Sequence, residues 1–278
     1  MRAVISEGPL RTKRLTVHHL HANVEAERPR VLLLGGSNFD LRLKRSFLNT
    51  TLLKHFEVAT YEPRGIGRTQ QPDGAWSMED YAEDAASVLD ALNWDQAHIV
   101  GESFGGMTAL HLALKYPNRV ARMVIASATA GGSEHGSFDI SQFLHMSRET
   151  AAKAALCLQD LRNQNLLKND PSAFSMRLAD RVAFEVAFTT PSISSGGYQR
   201  LLDARRQHDI TQCIAQILTP VAVIAGTYDQ QASPEAQRRL CTALPNAEFH
   251  RFEAGHGVLF AATEATQCAG DFLNITDG

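Results

Sequence analysis

Residues 101–105 read Gly101-Glu102-Ser103-Phe104-Gly105. In this G-x-S-x-G spacing a serine rides on a turn too tight for side chains two positions away on either side, and glycines at 101 and 105 remove that collision. A serine held this way becomes a nucleophile when a base takes its proton and an acid orients the base. Asp229 follows the apolar run "PVAVIAG", and His256 sits between glycines in "FEAGHGVLF". Ser103, Asp229 and His256 thus each stand just past a strand-like run, in an order that suits a nucleophile, an acid and a base. Taken singly, each has a plain structural reading: a glycine-rich turn, a loop aspartate, a surface histidine. Their joint occurrence favours the chemical reading.

The other candidates are weaker. His98 and His250 fall inside strand patterns, His111 inside a helix pattern, and Glu102 belongs to the turn itself. An attacked carbonyl also needs donors for its oxyanion. One candidate is the Phe104 N–H, at the start of the helix after the turn. The other is the Ser37 N–H in "VLLLGGSN", where Gly35 and Gly36 let backbone approach a substrate closely. Those same glycines are equally compatible with a turn that merely closes a buried strand.

The elements that must position these residues alternate. Residues 12–24 alternate like an early strand; its His18, His19 and His21 fall on both faces without acidic or cysteine ligands beside them, which disfavours a metal site. "RVLLL" and "FEVATY" are short continuous apolar runs, as strands buried on both faces are. Residues 41–56 are spaced like a helix. Residues 77–92 are another, opened by Ser77 with Asp80 at the capping-box position. "QAHIVGE" predicts a strand, "MTALHLALKYP" a helix stopped at Pro117, and "VARMVIASAT" a further strand. Strand signal then stops. Residues 134–208 hold helical stretches such as "RETAAKAALCLQDLRNQNLL" and "SAFSMRLADRVAFEVAF", before "TPVAVIAGTYD", a helix opened by Ser233 and Pro234, and "AEFHRFEAGH". The expectation is a doubly wound, mostly parallel α/β sheet formed by residues 1–133 and 209–278, with 134–208 inserted as a helical cap.

Composition narrows the function. The 27 Lys and Arg against 30 Asp and Glu argue against a broad basic surface for nucleic acid. Cys157, Cys213, Cys241 and Cys268 are widely spaced, as free thiols of a reducing compartment would be, and no apolar run is long enough for a signal peptide or a membrane span. A cytoplasmic enzyme acting on a small molecule is expected, without membrane or nucleic-acid partners. A homodimer is compatible with these features but not dictated by them.

Five segments together resemble the α/β-hydrolase fold superfamily over nearly the whole chain. "LLLGGSN" is similar to its oxyanion loop, "YEPRGIGRT" to its Asp-x-Arg-Gly-x-Gly turn, "GESFGG" to its nucleophile turn, "PVAVIAGTYD" to its acid-bearing strand and "GHG" to its histidine loop. Two departures stand out. Gly35-Gly36 replaces the usual His-Gly pair, and Glu62 replaces aspartate, so that Glu62 and Arg64 read as supports for loops around the site. The resemblance implies that 134–208 covers the active site, where Phe138, Phe143, Phe174, Phe184, Phe188 and Tyr198 are candidates to line an apolar pocket.

The combined expectation is a serine hydrolase that cleaves a carboxylic ester or lactone of a small to medium, largely apolar substrate through an acyl-enzyme, with no metal or organic cofactor. The same three groups also serve carbon–carbon, amide or thioester cleavage in such folds, and a non-catalytic small-molecule binder is a third reading. Serine at position 103 argues against epoxide hydrolase or dehalogenase chemistry, which in this fold uses aspartate.

Overall fold

The computed structural model describes residues 4–23, 28–43, 51–132, 136–192 and 196–274. Among them, eight strands form one sheet: β1 (Val4–Arg11), β2 (Thr16–Asn23), β3 (Arg30–Leu34), β4 (Glu57–Tyr61), β5 (Ala97–Glu102), β6 (Val120–Ala126), β7 (Val221–Gly226) and β8 (Ala247–Phe252). Their spatial order is β1-β2-β4-β3-β5-β6-β7-β8. β1 and β2, and β2 and β4, pair antiparallel; every other neighbouring pair is parallel.

The apolar runs explain the parallel part. Side chains alternate across a strand, so a strand buried on both faces must be apolar at every position. Leu32, Leu34, Ile99, Met123, Ile125 and Val223 face one core together with residues of α2 (Met78–Ala91), α3 (Phe104–Lys115) and α8 (Pro234–Ala243). Val31, Leu33, Val100, Val124, Ala222 and Ile224 face a second core closed by α1 (Leu52–His55), α9 (Val258–Ala261) and α10 (Thr263–Leu273). The sheet therefore carries helices on both faces, as expected. The capping box that opens α2 forms: Ser77 N–H donates to Asp80 at 2.9 Å and the Asp80 amide returns to Ser77 Oγ at 3.3 Å, an arrangement worth about 1 kcal/mol.

Three features differ from, or go beyond, what the sequence predicts. β1 escapes sequence reading because its residues are mostly exposed and it carries Gly8 and Pro9; proline is tolerated there because β1 is an edge strand. Of the helix expected at 41–56, residues 44–50 lie outside the described residues, 41–43 form a turn and only Leu52–His55 is helical. The stretch "RETAAKAALCLQDLRNQNLL" is two helices, α4 (Arg148–Gln159) and α5 (Arg162–Asn169). The break falls at Asp160, whose carboxylate accepts the Arg162 amide at 2.9 Å and so competes with helix continuation.

Between β6 and β7 the chain also forms α6 (Pro171–Ser192) and α7 (Gly197–Arg206). Residues 134–135, at the start of the expected cap, lie outside the described residues, and Gly131 bridges Asp209 where the two ends of this block meet the sheet. The three early histidines have protein partners: His18 meets Glu7 at 3.1 Å, His21 meets Glu57 at 2.7 Å, and His19 meets the Gly8 carbonyl at 2.8 Å. The four cysteines are free thiols. Among the described residues, no helix is long and apolar enough to cross a membrane.

Candidate active site

β5 ends at Glu102 and α3 begins at Phe104, so Ser103 alone makes the turn, at φ +56° and ψ −117°. That conformation crowds any side chain and persists only where the surroundings enforce it. Here the Ser103 amide donates to the Ala126 carbonyl of β6 at 2.8 Å, and its carbonyl accepts the Met107 amide at 3.1 Å. A Cβ on Gly101 would lie 2.6 Å from the Gly105 carbonyl oxygen, and one on Gly105 would lie 1.9 Å from that of Leu34. Both glycines are therefore required by the backbone approach, as the spacing implies.

Asp229 lies three residues past β7 and is fully buried. Its Oδ1 accepts two backbone amides, from Gln231 at 2.8 Å and Ala232 at 2.9 Å, which leaves Oδ2 facing His256 Nδ1 at 2.8 Å. His256 follows β8, and its Nε2 lies 2.8 Å from Ser103 Oγ. The carboxylate can only accept, so Nδ1 carries the hydrogen and Nε2 presents its lone pair to the serine hydroxyl. Three side chains separated by up to 153 positions in sequence thus form one hydrogen-bonded series.

Gly35, Gly36 and Ser37 follow β3 and pack over the first turn of α3, with Phe39 N–H closing a turn onto the Gly36 carbonyl at 3.0 Å. Ser37, Ser103 and Tyr198 all line one cavity of about 460 Å³. Burial, reinforced by the charge of Glu185, pushes the Tyr198 hydroxyl up to about 12, so it remains protonated. The Phe104 amide belongs to the first turn of α3, where N–H groups have no acceptor within the helix.

The expected loop supports divide differently. Glu62 is buried and accepts the Leu41 amide at 3.0 Å, the Arg68 amide and the Arg68 guanidinium. Arg64 turns away to Asp84, at 2.6 and 2.7 Å. The six aromatic candidates for the pocket divide as well. Phe143 and Tyr198 line the cavity, whereas Phe174 and Phe188 are buried in packing and Phe138 and Phe184 stack on Phe143 and Phe188. Periodicity marks such residues as apolar but cannot choose between a cavity wall and a core.

The cavity has two characters. Phe143, Leu144 and Phe260 form an apolar wall; Gln159, Arg181 and Gln231 form a polar one. The polar wall was missed by sequence reasoning. Its members lie on different elements, and only Gln231, two residues past Asp229, carried a positional hint.

A family model described as the alpha/beta hydrolase fold matches residues 29–263. The provisionally named carbamate hydrolase RutD of Caulobacter sp. (strain K31) is 30% identical over 271 residues, covering 94% of this chain and 95% of its own. The 3-oxoadipate enol-lactonase 2 of Acinetobacter baylyi is 23% identical over 84% of this chain and 83% of its own. Among solved structures, the enol-lactonase from Burkholderia xenovorans LB400 superposes with a TM-score of 0.78 at 23% identity, covering 96% of this chain and all of that one, a likeness of fold. On the family match, and on the sheet and helices it spans, the chain belongs to the alpha/beta hydrolase fold family.

Proposed function

We propose that the protein is a serine hydrolase of carboxylic esters and lactones that works through an acyl-enzyme. The observation that carries this reading is the series Ser103 Oγ, His256 Nε2 and Nδ1, Asp229 Oδ2, with both links at 2.8 Å, opening into a cavity of about 460 Å³. Ser103 attacks the carbonyl carbon while Nε2 takes its proton. Asp229 holds the ring in the tautomer that can accept it and stabilises the imidazolium that forms. The Ser37 and Phe104 amides receive the oxyanion. Collapse expels the alcohol, which leaves with the proton from Nε2. Water then attacks the acyl group through the same histidine and regenerates Ser103.

The enol-lactonase name of one relative supports the ester and lactone reading. The apolar wall suits a small to medium acyl group. A second reading, carbamate hydrolysis, is favoured by the relative matching 94% of the chain; it uses the same attack on a carbonyl. A panel of esters of graded acyl length, lactones and carbamates separates the two by relative kcat/KM. Ser103→Ala is expected to abolish hydrolysis of p-nitrophenyl acyl esters and labelling by a fluorophosphonate. Labelling retained at another serine rejects the assignment.

A further inference from the structure

His256 Nε2 has a second neighbour. The side-chain nitrogen of Gln231, which is 3% exposed, lies 2.8 Å from it, the same distance as Ser103 Oγ. Gln231 Oε1 in turn accepts from the Gln159 amide nitrogen at 3.2 Å, and Gln159 Oε1 accepts from Arg181 Nη1 at 2.9 Å. Arg181 is held in place by Glu185, one helical turn along α6, at 2.7 Å.

The two ends of this chain fix its direction. A guanidinium only donates, so Gln159 must turn its oxygen toward Arg181 and its NH₂ toward Gln231. Gln231 must then turn its oxygen toward Gln159 and its NH₂ toward His256. At the other end the acceptor-only carboxylate of Asp229 places the ring hydrogen on Nδ1 and the lone pair on Nε2. Either amide reversed would set donor against donor or acceptor against acceptor. Arg181, 50 positions from Gln231, thereby decides that an N–H and not a C=O stands beside the base.

We propose that Gln231 is a catalytic donor to the leaving atom of the substrate, that Gln159 and Arg181 are its positioning residues, and that the set selects substrates whose leaving atom is oxygen. The inference rests on the ester and lactone reading. When the tetrahedral intermediate collapses, the bond from carbon to the leaving atom breaks and its electron pair moves onto that atom. Once Nε2 holds the serine proton it no longer accepts the Gln231 N–H, which is released; the leaving atom takes that proton, so it must come within reach of Nε2 and hence of the freed Gln231 NH₂ beside it. An ester oxygen has two lone pairs, one for the proton and one for the Gln231 N–H. An amine nitrogen has, besides the pair of the breaking bond still directed at carbon, a single lone pair, which the proton uses. A carbon leaving group has none to spare. The second N–H therefore stabilises charge on oxygen that the other leaving groups cannot offer it.

The test is the dependence of kcat/KM on the leaving group. A series of acetate esters runs from 4-nitrophenol to simple alkanols, and wild-type enzyme is compared with Gln231→Leu. The 4-nitrophenyl ester, whose leaving oxygen needs little help, is expected to lose less than about threefold, and an alkyl ester about tenfold or more, the size of one hydrogen bond made as charge develops. Gln231→Glu keeps the shape, replaces the donor by an acceptor, and is expected to steepen the same dependence, so the answer does not hang on one variant's folding. Gln159→Leu and Arg181→Met are expected to give smaller losses with the same pattern, and to add nothing in the Gln231→Leu background. An equal loss across the series, or additive effects of Arg181→Met and Gln231→Leu, overturns the proposal. If wild-type enzyme hydrolyses none of the esters, the ester reading falls and takes this inference with it; if it hydrolyses them with an unchanged leaving-group slope in both Gln231 variants, the inference alone falls.

Discussion

The His256 amide donates to the carbonyl of Gln159, 2.7 Å away, so the loop that carries the proposed base is bonded to the last turn of α4. The acid-bearing loop is bonded to the same place: Gln230 N–H donates to the Leu158 carbonyl at 3.0 Å, and Leu161 N–H to that of Tyr228 at 3.0 Å. One helix end thus sets the relative position of both loops.

This clamp leaves no room at Gly255, where a Cβ would lie 2.4 Å from the Gln159 carbonyl oxygen. Gly255→Ala is expected to push the His256 loop off α4 by a fraction of an ångström to an ångström. A misplacement of that order lowers kcat/KM by on the order of a hundredfold. Steady-state kinetics on a p-nitrophenyl ester, with circular dichroism to establish that the fold is kept, checks it.

Asp229→Asn carries a sharper expectation. The Gln231 and Ala232 amides both need the Oδ1 acceptor, so the asparagine oxygen stays with them and its NH₂ faces His256 Nδ1. The ring must then accept at Nδ1 and carry its hydrogen on Nε2, where it cannot take the serine proton. A loss of about 10⁴-fold in kcat is expected, with a melting temperature close to wild type.

Two glycines of the site separate folding from function. Gly105→Ala drives a methyl into the Leu34 carbonyl, 1.9 Å away, and is expected to cost more than about 4 kcal/mol or to prevent soluble expression. Gly36→Ala meets nothing closer than the Ser103 Cβ at 3.7 Å, so it is expected to fold normally. Its methyl stands beside Ser103 in the cavity and is expected to lower kcat/KM by about tenfold, the order of one misplaced methyl in a pocket. Urea denaturation and ester kinetics on both variants check the contrast.

A buried histidine away from the site sets an acid limit on stability. His208 donates from Nε2 to the Thr129 carbonyl at 2.8 Å and meets His111 Nε2 through Nδ1 at 3.1 Å. Burial disfavours its charged form and pushes its pKa from 6.5 down to about 4. Between those values the unfolded chain binds a proton that the folded one refuses. The stability this supplies is complete above pH 6.5 and drains away as pH falls toward 4. Urea unfolding at pH 7.5 and 4.5 is expected to show that His208→Gln loses roughly 2 to 3 kcal/mol less than wild type across that interval; equal losses reject this account.

Ser103, Asp229 and His256 could be picked out from sequence because each obeys a local rule: a turn that tolerates only glycine at 101 and 105, and loops that begin where apolar strands stop. The parallel core could be read for a similar reason, since β3, β5, β6 and β7 are apolar at nearly every position. β1 could not, because an exposed edge strand needs no periodic burial. Nor could the partner of Arg64, since Asp84 is as acidic as Glu62 and 20 positions away. The polar wall lay furthest from view. Gln159, Arg181 and Gln231 obey no periodicity, and their roles follow from which of them can only donate.

The clamp at the end of α4 also ties two positions together. Its last turn is bonded to both loops, so a shift of that end is transmitted to His256 and Asp229 at once. At the other end of α4, Met146 and Arg148 line the cavity and are exposed.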